Sequence, residues 1–225
     1  MVNKTAWQEL KTTFDPQGIT LVAVSKTKPA EDIRMLYEAG QRDFGENYVQ
    51  ELVEKQQQLP GDIRWHFIGH LQTNKVKQIV PFVHLIHGVD RLKLLAEINK
   101  HAKNAGRTID VLLQIYIAAE ETKFGLDEKE VIHLLDHYTE GPYQHVRIRG
   151  VMGMASFSED ERQVRAEFKR LHDIFRNLQQ SYFLGKDHFD TCSMGMSGDY
   201  RIAAEEGSTM VRIGSMLFGA RIPSI

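Results

Sequence analysis

Eight short apolar, β-prone runs punctuate this 225-residue chain, and seven of them give way to stretches with helical periodicity. The runs expected as strands are 19–25, 43–46, 65–69, 83–89, 109–117, 146–152, 189–192 and 210–213. The helices expected between them cover 30–39, 47–58, 73–79, 91–105, 127–138, 159–182 and 198–206, with Asp90 as an N-cap and Gly106 as the stop of the fourth. Strands alternating with helices imply parallel β-α units, and eight such units in this length match a closed (β/α)8 TIM barrel. No eighth helix follows residue 213, and an amphipathic segment at 3–14, with Trp7, Leu10 and Phe14 at helical spacing, is expected to replace it. The alternative is an open doubly wound sheet. Six strands are more usual there, and no G-x-G-x-x-G follows the first strand. No repeat, low-complexity tract or linker divides the chain, so residues 1–225 are expected to form a single domain with no second β domain.

Several function classes lose support at the level of charge and composition. The formal net charge of −2 makes no general case for nucleic acid or an anionic membrane surface. No apolar stretch approaches the roughly 18 residues that cross a bilayer, and the N-terminal segment lacks the apolar centre of a signal peptide. Cys192 is the single cysteine, so an intrachain disulfide is impossible and a reducing, cytoplasmic setting is expected. A monomer is expected.

Function in such barrels concentrates at the C-terminal strand ends. The first of these is ITLVAVSKTKP at 19–29, where the alternation that places Val22 and Val24 on one face continues to Lys26 and Lys28. A lysine continuing a core face tends to lose its proton, and a neutral amine is what Schiff-base chemistry needs. The other strand ends offer Asn47, then Gly69 and His70, then Lys123, and then 152–156. The last two, 193–197 and 212–215, are loops of glycine and serine. Adjacent loops of that kind, opening onto a helix, build phosphate cradles from unpaired backbone amides, close backbone approach and hydroxyl donors. A lysine and a phosphate cradle across one mouth suit either pyridoxal phosphate or a phosphorylated sugar held as a Schiff base.

Six longer motifs choose between these ligands. They are AVSKTKP at 23–29, FGENYVQE at 44–51, WHFIGHLQTNKVK at 65–77, GVMGMA at 150–155, SMGMSGD at 193–199 and STMVRIGSMLFGAR at 208–221. In these motifs the chain resembles the pyridoxal phosphate homeostasis proteins, the YggS-like or proline synthase co-transcribed family, from about residue 19 to 221. The resemblance implies a type III fold, the barrel of alanine racemase without its second domain. It implies that pyridoxal 5'-phosphate is the cofactor and that Lys26 holds it as an internal aldimine. It further implies that Ser193, Gly214 and Ser215 contact the phosphate, that Arg212 faces the pyridine nitrogen, and that Asn47 and His66 line the pocket. No catalytic residue and no metal are implied. Ser215 stands where threonine is frequent, and Phe124 where a smaller residue is expected.

The role implied is to hold the cofactor in vitamin B6 and amino-acid homeostasis without efficient catalysis, with apo pyridoxal-phosphate enzymes as partners. An arginine beside the ring nitrogen donates and never accepts, so the ring is a poor electron sink. A slow amino-acid racemase is the alternative, with Lys28, His66 or Lys123 as a second base. A Schiff-base aldolase acting on a sugar phosphate ranks lower, because it gives 65–77 no part. His84 and His87 suggest a metal pair, but no carboxylate or cysteine completes it, and they read as core or rim histidines. Cys192 reads as an apolar filler, and Lys75 and Lys77 as solvated surface, with a second cofactor site there as the speculative alternative.

Overall fold

Nearly every residue of the eight strands is buried, the pattern of a parallel sheet covered by helices on one face and by its own side chains on the other. The computed structural model describes residues 2–119 and 124–219. Strands β1 (Thr20–Val24), β2 (Asp43–Glu46), β3 (Arg64–Phe67), β4 (Leu85–Val89), β5 (Ile109–Gln114), β6 (Val146–Met152), β7 (Thr191–Ser193) and β8 (Met210–Ile213) form one closed parallel barrel in chain order. It closes where Thr20 to Ala23 pair with Met210 to Ile213.

Around it lie α1 (Lys4–Phe14), α2 (Ala30–Glu38), α3 (Val49–Gln58), α4 (Val76–Ile79), α5 (Leu92–Asn104), α6 (Glu128–Glu140), α7 (Glu161–Ser181), α8 (Tyr200–Glu205) and α9 (Ser215–Phe218). Alternation sorts the strand residues into two sets. Val22, Leu85, Leu112, Met152 and Met210 pack on one another inside the barrel. Leu21, Ala23, Phe44, Val111 and Val211 belong to the larger core shared with the helices.

The barrel matches the expectation, with local differences. β8 is followed by a single helical turn, α9, and α1 completes the ring beside it. The Asn3 amide donates to the Leu217 carbonyl at 2.8 Å, and Phe14 meets Tyr200 edge-on at 5.8 Å between centroids. Burying Phe14 contributes about 1.5–3 kcal/mol. β5 ends at Gln114; the Ile115 amide still reaches the Met152 carbonyl of β6 at 2.8 Å, but Ile115 pairs on its other side only as an isolated bridge with Leu126. β7 begins at Thr191, since Phe189 stacks on Phe183 in the preceding turn at 4.1 Å. Asp90 does not cap α5: the N-cap is Arg91, and the Asp90 carboxylate is taken by Arg91 and His70.

Candidate functional site at the C-terminal mouth of the barrel

A cavity of about 430 Å³ opens at the C-terminal strand ends. Lys26 and Lys28 after β1, Asn47 after β2, Arg212 on β8 and Gly214 and Ser215 after it all line this space. Ile68, Met154 and Phe157 supply an apolar wall. Two of the expected residues lie elsewhere. His66 lines a second cavity, of about 370 Å³, at the opposite mouth. Ser193 is fully buried beneath the first cavity, with its hydroxyl on Arg212. Lys123 lies outside the described residues.

The turn carrying Lys26 is held from behind. Thr27 has φ of 63°, the one left-handed non-glycine residue among those described, a conformation costing on the order of 1–3 kcal/mol. Its amide donates to Glu51 at 2.6 Å, and the Lys28 amide closes the turn on the Ser25 carbonyl. Lys55 reaches in from α3 and donates to the Ser25 carbonyl at 2.7 Å, to Glu46 at 2.7 Å and to Glu51 at 2.6 Å. The Ser25 hydroxyl donates to Glu46 at 2.6 Å. Burial pushes the Glu46 carboxyl up to about 7, against the pull of Lys55 and Ser25. Sequence reading missed this cluster; the signal that could have found it is the Glu51–Lys55 pair, at the i,i+4 spacing that joins acid and base on one helix face.

Asn47 is pinned by Gly69: a Cβ there would lie 2.3 Å from the Asn47 carbonyl oxygen, so only glycine fits. Among the described residues the buried Asn47 Oδ1 atom has no hydrogen-bond partner, an arrangement that costs free energy until a donor arrives. Arg212 is almost wholly buried. Its Nη1 donates to the Ser193 carbonyl at 3.0 Å and hydroxyl at 2.7 Å, and its Nη2 to the Gly153 carbonyl at 3.1 Å. Among the described residues no carboxylate lies within ion-pair distance of it. Burial pushes its pKa down to about 10, against the upward pull of the Asp199 charge in the same cavity wall, which leaves it charged at neutral pH.

The wall of the cavity between β7 and β8 also includes Ser197, Gly198 and Asp199, which lie in the 193–199 motif but not among the residues chosen from it. The Gly214 amide donates to the Ser197 hydroxyl at 3.3 Å. Gly195, at φ of 98°, lets this loop turn over α8, where a Cβ would lie 2.6 Å from that of Ala203. α9 begins at Ser215 in the cavity wall, so its leading amides have no partner within the helix.

The model of the alanine racemase N-terminal domain matches residues 4–222. A pyridoxal phosphate homeostasis protein of Aquifex aeolicus is 42% identical over 202 residues, covering 89% of this chain and 86% of its own. The protein of that name in Escherichia coli K12 is 41% identical over 211 residues, 92% of this chain and 87% of its own. The chain belongs to the pyridoxal phosphate homeostasis family. Among solved structures, PipY of Synechococcus elongatus PCC7942, determined both with and without PLP, is 35% identical over 96% of this chain and 99% of its own. Its TM-scores are 0.88 without PLP and 0.87 with it. The family's barrel is also that of alanine racemase from Bartonella henselae, with a TM-score of 0.69 at 16% identity over 97% of this chain and 60% of that one.

Proposed function

We propose that this chain binds pyridoxal 5'-phosphate in the cavity at the C-terminal mouth, with the Lys26 amine as its covalent anchor, and stores and releases it in vitamin B6 homeostasis. The observation that carries the reading is a buried arginine whose hydrogen bonds all go to neutral groups, Arg212, lining the same cavity as Lys26. The residues present fit the cofactor group by group. Asn47 Oδ1 is a buried acceptor awaiting a hydroxyl donor. Ser197, Gly214, Ser215 and the opening amides of α9 form a wall suited to a phosphate. Ile68, Met154 and Phe157 suit the faces and edges of a ring. Bound there, the cofactor supplies an aldehyde that condenses with amines and a ring that withdraws electrons.

Arg212 limits the second of these. It stays protonated, has only donors, and so leaves a ring nitrogen beside it unprotonated. Pyridoxal enzymes that need a strong electron sink place a carboxylate there instead. The residues of the chain are thus arranged to hold the cofactor more than to drive carbanion chemistry. A slow racemase on the same site has one observation in its favour: Lys28 lines the cavity with Lys26. A cytoplasmic monomer of one domain, passing cofactor to apo-enzymes, belongs to this proposal. Its support is the single buried cysteine and a described chain in which no helix is long and apolar enough to cross a membrane.

The test is the visible spectrum of the protein loaded with pyridoxal phosphate, before and after borohydride, followed by peptide mapping. A fixed label on Lys26 is expected; loading without colour, or a label confined to other lysines, overturns the reading. Loss of α-deuterium from several amino acids faster than with free cofactor, abolished in Lys26→Ala, would favour the racemase.

A further inference from the structure

His66 and Ser193 both miss the cavity, yet they lie on one hydrogen-bonded line that ends at Arg212. From Arg212 Nη1 the line runs 2.7 Å to the Ser193 hydroxyl. It continues 3.4 Å to His87 Nδ1, then 3.0 Å from His87 Nε2 to His66 Nδ1. A last step of 3.0 Å links His66 Nε2 to Asp43 Oδ1. Asp43 is clamped in turn by Arg64 and lines the cavity at the opposite mouth. All five members of the line are buried, and they come from β8, β7, β4, β3 and β2.

One proton order runs unbroken along the line from Arg212 to Asp43. Arg212 has only donors, so Ser193 Oγ accepts from it. Ser193 then has its own proton to give, and His87 Nδ1 is the ring nitrogen beside it. Full burial, with His66, Arg212 and His84 beside it, holds His87 well below the usual histidine range, so it is neutral with a single N–H. In this order that proton sits on Nε2 and goes to His66 Nδ1, and a proton on His66 Nε2 goes to Asp43. Burial would raise the Asp43 carboxyl, but hydrogen bonds from Arg64 and His66 outweigh it and hold it well below the usual range, so it is an ionised acceptor. Every bond dipole then points the same way, from a buried cation to a carboxylate on the far side of the barrel.

We propose that Ser193, His87, His66 and Asp43 form a relay that fixes Arg212 in the cavity from the opposite mouth, which makes His87 and His66 positioning residues for the cofactor's ring nitrogen. The second half of this statement rests on the function proposed above; the first half does not. Long-range proton–nitrogen NMR on the cofactor-free protein tests the first half. The expected result at neutral pH is a proton on Nε2 of both His66 and His87 and a slowly exchanging Arg212 guanidinium signal. Ser193→Ala and His87→Phe should each remove that protected signal. A proton on His87 Nδ1, or an Arg212 signal unchanged in Ser193→Ala, overturns the relay; Ser193→Ala decides if His87→Phe does not fold.

With pyridoxal phosphate labelled at its ring nitrogen, His87→Phe and Ser193→Ala should move the nitrogen resonance and weaken binding about 5–20-fold, while borohydride still labels Lys26. His87→Gln, which keeps a donor toward His66, should recover part of the loss. An unmoved resonance in Ser193→Ala overturns the positioning role. A wild-type protein that binds no cofactor overturns the proposed function, while the relay still stands or falls on the histidine and arginine signals of the cofactor-free protein.

Discussion

The two mouths of the barrel are built from the same kinds of residue and use them differently. At the N-terminal mouth every charge has an answer. Asp43 takes Arg64, Asp110 takes Arg147 at 2.7 Å and Arg149 at 3.3 Å, and Asp190 takes the other side of Arg149 at 2.6 Å. At the C-terminal mouth the buried guanidinium of Arg212 has only neutral partners among the described residues, and a buried amide oxygen of Asn47 has none there. Both cavities are of similar size, about 370 and 430 Å³, so volume does not distinguish them. What does is unspent polar capacity. Paired charges at a barrel bottom hold strands together, whereas desolvated groups without partners persist only where something supports them.

The sharpest break in this comparison is Lys26→Ala. Removing the amine should abolish the borohydride-fixed label and weaken retention of pyridoxal phosphate at least about 100-fold, as expected when a covalent anchor is lost. Equilibrium dialysis with mass spectrometry of the reduced protein reads both, and a label of wild-type strength on another lysine would break the comparison.

Next in size is Lys55→Met. It leaves Glu46 and Glu51 facing each other with no cation between them, and removing one partner of a buried pair costs about 3–5 kcal/mol. Protonation of Glu46 offsets part of that at low pH. The turn from Ser25 to Lys28 should loosen with it, because Lys55 and Glu51 hold Ser25 and Thr27 directly. Denaturant unfolding gives the stability, and the rate of colour formation on adding cofactor gives the effect on the turn; an unchanged rate in a destabilised variant would confine the cluster to a structural role.

Which of these features was legible in sequence follows from what side-chain periodicity can encode. Alternation told the faces of β1 correctly, and it placed Lys26 beyond Val24 at the mouth. On β3, His66 was placed in the pocket by the family resemblance and not by alternation. Depth along the strand was not legible: Ile68 lines the C-terminal cavity and His66, two residues earlier, the other one. Ser193, also taken from the resemblance, lies at the end of β7 beneath the cavity, and Ser197, four residues on in the following loop, lines it instead. Long-range pairings were silent for another reason. Glu46 and Lys55 meet only because β2 and α3 fold back on each other, and His87 meets Ser193 across 106 residues. Apolar runs also overstate strands, as at 115–117, where the chain stays apolar after β5 ends.

Two substitutions of moderate effect separate the mouths. Arg212→Met should weaken cofactor binding about 10–100-fold, the value of a hydrogen bond from a charged donor. It should change the cofactor-free Tm little, because losing a buried charge that has no carboxylate within ion-pair distance among the described residues offsets the lost bonds to Ser193 and Gly153. Asp110→Asn should do the reverse, lowering stability by about 1–3 kcal/mol by weakening the pairs with Arg147 and Arg149 and leaving cofactor affinity within about twofold of wild type. A large affinity loss in Asp110→Asn would erase the distinction between the two ends.

The smallest effect is also the most diagnostic, because the two mouths should titrate with opposite sign. The Glu46 carboxyl is raised by burial to about 7, above an unfolded value near 4.3. Between those limits the folded protein keeps a proton that the unfolded chain has released, so the stability contributed by Glu46 is full below about pH 4 and is lost as pH rises toward 7. Asp43 is held below its unfolded value of about 3.9 by Arg64 and His66. Its contribution is full above that value and is lost as pH falls below it. Glu46→Gln should therefore flatten the decline of Tm between about pH 4.5 and 7, and Asp43→Asn should flatten the acid limb below about pH 4. Thermal unfolding of the cofactor-free protein across both windows reads the two slopes independently. If Glu46→Gln leaves the upper window unchanged, the Lys55 ammonium outweighs burial at Glu46, and the C-terminal mouth holds a fully compensated pair where a strained one is inferred.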